Sequence, residues 1–210
     1  FGQPSGSVAG CMSKPTRRLL KIAQESGVQM TFFWDIGHLM AIRKWKKKYS
    51  VLEKQEKEVL KLVSEIVEQG HDVQLHIHPH WEKAEWTGKA WNMNVTGNYK
   101  LSDFSEEERS EIFRSYHAAM TEITGIAPVA FRAGGWCVQP FDQIRDLFLE
   151  CGIKVDSSVM PEAHLQRGDY NFDFRDAPNV DHYRFDEDIV EEVPDGPFLE
   201  LPITTNYYTP

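Results

Sequence analysis

Cysteine is scarce in this chain. Its three thiols, Cys11, Cys137 and Cys151, are odd in number, far apart and without a CxxC pair. That spacing argues against a disulfide framework and a thiolate zinc site, and favours a reducing, cytoplasmic compartment. Basic residues are also in deficit, with 23 Lys and Arg against 32 Asp and Glu and a formal charge of −9. Such a surface repels a phosphate backbone, so nucleic acid is not an expected partner. The one basic run, Arg43 to Lys48, reads as a solvated helix face. Long apolar stretches are missing too: none approaches the ~18 residues of a transmembrane helix. No signal-peptide pattern follows Phe1, and there is no internal repeat or low-complexity tract.

What remains is a chain of 210 residues, enough for a sizeable core and read as a single domain over residues 1–210. Pro15 sits in a first helical turn, and Leu19, Leu20, Ile22 and Ala23 form an apolar stripe that Gly27 ends. Val28 to Trp34 reads as a buried strand leaving through Asp35-Ile36-Gly37. Leu52, Val59, Val63, Ile66 and Val67 repeat at a helical period before Gly70, and Asp72 to Ile77 is the next strand. Ser105 and Glu108 form a capping-box pattern for a helix reaching Gly125. A strand over Pro128 to Arg132, a helix over Phe141 to Leu149 and a strand over Ile153 to Val155 follow. Beyond Met160 the pattern dissolves into an acidic, aromatic stretch until a last strand at Phe198 to Ile203. Strands alternating with helices imply a parallel α/β sheet or barrel with its chemistry at the strands' C-terminal ends.

The polar clusters fall at those ends. Three of the eight histidines stand at alternate positions in His76-Ile77-His78-Pro79-His80. Alternate strand residues face one side, so two or three imidazoles can converge on a divalent cation, zinc by preference, which needs a further ligand such as a carboxylate. Asp35, at the end of the preceding strand, is a metal ligand, a general base or a helix N-cap. Arg132 precedes Gly134 and Gly135, where a guanidinium can orient a carboxylate and backbone N–H groups can approach a ligand; a structural salt bridge is the alternative. Asp156-Ser157-Ser158 is a catalytic element or a turn. Trp81, Trp86, Trp91 and Tyr99 form an aromatic segment suited either to sugar rings or to packing over the strand ends.

Gly70-His71-Asp72 running to His80 resembles the GHE(V/I)xxH(S/T)xxH segment of the polysaccharide deacetylases, the NodB-like carbohydrate esterases. Thr31-Phe32-Phe33 resembles their ATFF strand, Phe131-Arg132 their FRP/FRxG motif, Gly152 to Ser158 their Gly-Ile-x-x-Asp-Ser-Ser strand, and Leu199 to Ile203 their late strand. The matches run in family order from about Ser13 to Thr204. The resemblance implies a distorted (β/α) barrel and a metal-dependent hydrolase that removes acetyl groups from N-acetylated sugars of a glycan or carrier-linked saccharide. It implies His76 and His80 as metal ligands, and Arg132 as partner of a catalytic aspartate. Asp35 and Asp156 are the catalytic carboxylate candidates, and Trp81, Trp86 and Trp136 the carbohydrate contacts. The family's early aspartate pair and late Leu-x-His motif have no counterpart, so the reading is a domain clipped at both ends, or else a divergent member that uses Asp35. A non-catalytic carbohydrate-binding module and an amidohydrolase-like metal hydrolase are the alternatives.

Overall fold

In the computed structural model residues 7–205 are described. Helix α1 (Lys14–Ser26) starts on Pro15 and stops at Gly27, burying Leu20 and Ala23. Strand β1 (Thr31–Asp35) follows at once, and its terminal aspartate is also the N-cap of α2 (Ile36–Trp45): Asp35 Oδ1 accepts the Gly37 N–H at 3.2 Å. The cap alternative for Asp35 is therefore realised, which satisfies one of the N–H groups left free at a helix start. Helix α3 (Val51–Glu68) buries Leu52, Val59, Leu62, Val63 and Ile66 along one face and leads to β2 (Asp72–Ile77). A helical turn at Pro79–Lys83 and a two-stranded ribbon, β3 (Glu85–Trp86) with β4 (Trp91–Asn92), occupy the aromatic segment.

Helix α4 (Glu106–Thr124) opens on the expected reciprocal cap, with Ser105 Oγ accepting the Glu108 N–H and Glu108 accepting the Ser105 N–H. Strand β5 (Ala130–Ala133), helix α5 (Asp142–Cys151) and strand β6 (Val155–Asp156) complete the repeating part. The stretch after Met160 departs from its irregular reading. It holds a hairpin, β7 (His164–Arg167) with β8 (Tyr170–Asp173), turning on Gly168 and Asp169, and then β9 (Tyr183–Phe185) before β10 (Phe198–Glu200). A two-residue Gly-Asp turn between polar-apolar alternations was the available signal; the density of charged residues around it hid the period.

Six strands pair in the order β1-β2-β5-β6-β10-β9, all parallel except β9 against β10. The fold is a mixed α/β arrangement on a parallel sheet. Among the described residues no pairing joins β1 to β9 to close a barrel. The core is strongly aromatic: Phe113 of α4 and Phe148 of α5 pack on Phe131 of β5, and Phe141, Phe185 and Phe198 continue the cluster. Within the basic run Arg43 reaches Glu56 and Glu122 and Lys46 reaches Glu56, while Lys44, Lys47 and Lys48 are exposed. No helix among the described residues is long and apolar enough to cross a membrane.

Candidate functional site

Parallel register sets the site. Asp35 pairs with His76 across β1 and β2, and His76 pairs with Arg132 across β2 and β5, so three residues distant in sequence lie side by side near the strands' C-terminal ends. The alternation expected for the histidines holds: His76, His78 and His80 are each half-buried, while Ile77 and Pro79 between them are buried. Their rings form a chain, 4.7 Å from His76 to His78 and 5.1 Å from His78 to His80 between centroids. His80 then stacks on Tyr99, and Tyr170 from the β7–β8 hairpin lies tilted against Tyr99 at 5.0 Å between centroids.

His76 Nδ1 lies 2.7 Å from the Arg132 carbonyl oxygen. A carbonyl only accepts, so Nδ1 carries the proton and Nε2 keeps a free lone pair. Burial lowers the basicity of all three imidazoles, His78 to about 4 and His80 to about 3. For His76 the Asp35 charge opposes that fall. At neutral pH all three are uncharged nitrogen donors. Asp35 is pushed up by burial and pulled down by His76 and by the Trp81 hydrogen bond. Its Oδ2 accepts the Trp81 indole N–H at 2.8 Å, so both carboxylate oxygens are occupied.

Gly134 lies against the histidines. A Cβ on it would stand 2.5 Å from His78 Nδ1 and 2.7 Å from the Ile77 carbonyl oxygen. The close approach read from the glycine pair is thus to the His78 ring. Arg132 is half-buried over the Phe33 ring at 4.4 Å, and donates from Nε to the Ser157 carbonyl and from Nη2 to Ser157 Oγ, both at 2.7 Å. Neither a salt bridge nor a bidentate carboxylate partner is seen for it among the described residues.

Three expectations are corrected. Trp81 and Trp86 are buried at 1% and 8% exposure, so they offer no ring face to a sugar. They pack with Trp91, and Trp81 is further fixed by its bond to Asp35. Indole area is worth more inside than exposed, and packing is what this segment does with it. Asp156 is fully buried and its oxygens are engaged by Ser158, so it cannot touch a substrate. Trp136 does remain half-buried at the rim, edge-on to Phe172, and holds a left-handed backbone at φ 62 that a bulky residue rarely adopts. Tyr99, in the aromatic segment, takes the packing alternative over His80; sequence reasoning missed Tyr170 beside it, and Glu200 as a buried acid, for which a charge inside the apolar Leu199 to Ile203 strand was the signal.

The donor set fits a cation in part. His76, with one nitrogen oriented by a carbonyl and the other free, has the arrangement metal-binding imidazoles use. The Nδ1 atoms of His78 and His80 are buried without a hydrogen-bond partner among the described residues. No group of three His, Cys, Asp or Glu side chains stands ready to hold a metal among those residues, so a third donor is not brought to the imidazoles.

No protein-family model matches the chain, and no curated protein matches it. Among solved structures, one described as "Crystal structure of putative polysaccharide deacetylase from Mycobacterium smegmatis" is similar at 20% identity with a TM-score of 0.48. The match covers 90% of this chain and 45% of that one, so this chain spans less than half the length of its solved neighbour.

Proposed function

We propose that the chain is the histidine-bearing part of a metal-dependent carbohydrate deacetylase, a hydrolase of acetamide bonds on sugars, built on a distorted (β/α) barrel. The observation that carries the reading is the register that sets Asp35, His76 and Arg132 abreast on three parallel strands, in a sequence whose motifs resemble the polysaccharide deacetylases in family order. Widely separated thiols support a reducing compartment.

In the proposed reaction a water oxygen bonds to the acetyl carbon, the C–N bond breaks, and a proton moves to the departing nitrogen, giving acetate and an amine. Asp35 is the carboxylate beside His76, and takes the water's proton while Gly37 and Trp81 hold its oxygens in place. Arg132 keeps Nη1 without a hydrogen bond among the described residues, a cationic donor for charge developing on the acetyl oxygen. Trp136 at the rim contacts the sugar. His76 and His80 would hold a divalent ion, zinc by preference, which when bound polarises the acetyl carbonyl and acidifies water.

The test is acetate release from N-acetylated oligosaccharides by zinc-loaded protein. His76→Ala and His80→Ala are each expected to lose stoichiometric metal and to cut turnover by more than ~100-fold, the upper range for merely disturbing a ligand's support. Full release by either variant overturns the assignment. The partial donor set favours one second reading, a non-catalytic carbohydrate-binding scaffold, for which oligosaccharide binding without acetate release is the signature.

A further inference from the structure

Asp156 and Glu200 are both at 0% exposure, and the β6–β10 register places them opposite each other. Three of their four carboxyl oxygens have protein donors. Asp156 Oδ1 accepts the Ser158 N–H at 2.7 Å, and Oδ2 the Ser158 hydroxyl at 3.1 Å. Glu200 Oε1 accepts the Val159 N–H at 3.0 Å. The fourth, Glu200 Oε2, is buried with no donor. Two adjacent buried carboxylates cannot both stay ionised, and an oxygen without a donor is where a proton costs least.

We propose that Glu200 is held as a neutral acid whose Oε2–H binds the Asp156 carboxylate, and that the singly charged pair is a positioning unit for Arg132. Burial drives Glu200 well above the ordinary glutamate range and Asp156 up to about 6. Arg132 from β5 and the Tyr183 hydroxyl from β9 are the other ionisable groups facing the pair; Tyr183 donates to the Ile189 carbonyl and stays neutral. One negative charge balances one guanidinium, whereas two would leave the cluster with net buried charge.

The link to Arg132 is continuous. The Asp156 carboxylate closes the Asp-Ser-Ser turn through Ser158, whose Oγ also accepts the Ala133 N–H at 2.9 Å. The turn presents the Ser157 carbonyl and hydroxyl to Arg132, and the Ser157 hydroxyl donates to the Leu201 carbonyl, one residue past Glu200. The ends of β6 and β10 are thereby joined at Ser157, the residue that holds the guanidinium. The part played by Arg132 in turnover rests on the deacetylase reading; the shared proton does not.

Carboxyl-carbon NMR of labelled whole chain tests the proton directly. Glu200 is expected to stay protonated through neutrality, its signal vanishing in Glu200→Gln; titration near the ordinary ~4.3 of glutamate overturns the proposal. The Arg132 Nε–H resonance tests the positioning. Glu200→Leu, which leaves Asp156 without its donor, is expected to shift that resonance and lower kcat ~10- to 100-fold at little-changed KM, as lost support of a site group does, while Glu200→Gln restores both. An unmoved resonance in Glu200→Leu overturns the positioning role, and if that variant fails to fold, the wild-type titration still decides the proton. Because the NMR arm needs no turnover, its failure is distinct from that of the deacetylase reading.

Discussion

At Gly134 a single hydrogen stands where any other residue would push a methyl group into the His78 ring and the Ile77 carbonyl. Backbone and a half-buried ring give way poorly, so Gly134→Ala is expected to cost ~1–3 kcal/mol, the range for overpacking, and to displace the imidazole. Urea unfolding measures the first effect and the His78 ring resonances the second. Glu200 supplies a pH signature. A carboxyl whose pKa is raised by folding stabilises the native state fully below its unfolded value, and that contribution fades as pH rises through the folded value. Relative to wild type, Glu200→Gln should therefore gain stability as pH climbs above ~4, read from urea midpoints at successive pH values. A constant difference across the range would count against a raised acid. The sequence shows His76, His78 and His80 plainly, because the three stand at alternate positions within one five-residue window. It does not show that Trp81 is spent on Asp35, since that bond joins residues 46 apart through a turn with no sequence signature.

Among the elements, the repeating β-α part was legible because each helix declares its own ends. Ser105 and Glu108 announce α4 three residues apart, and Ser105→Ala is expected to remove ~1 kcal/mol from thermal or urea stability. The sequence pattern starts strands two or three residues early at β1 and β5, where apolar runs continue from loop into sheet. The β7–β8 hairpin had only its Gly168-Asp169 turn as a local signal, and most of what fixes it lies elsewhere in the chain. Asp169 accepts the Gly97 N–H at 2.7 Å, Asn171 accepts from Lys100 at 2.9 Å, and Gln139 bonds Asp173 in both directions. Through these bonds the hairpin holds Tyr170 on Tyr99 and Tyr99 on His80. Asp169→Ala should loosen that clamp and speed amide exchange at Gly97 while leaving exchange in α4 unchanged. Equal acceleration in both would mean the hairpin is simply part of the global unfolding unit.

For the molecule as a whole, stability resides in the aromatic cluster beneath the sheet. Phe148 is fully buried against Phe113, Phe131, Phe141 and Phe198. Phe148→Ala is expected to cost ~3–5 kcal/mol in urea unfolding, the usual penalty for emptying an aromatic core site. Phe131 of that cluster precedes Arg132 on β5, and parallel register sets His76 and Asp35 abreast of that arginine, three residues no short segment could unite. The bond from His76 to the Arg132 carbonyl spans 56 positions of chain. During synthesis the histidines therefore leave the ribosome well before their brace has been translated, and they wait as loose imidazoles until β5 docks.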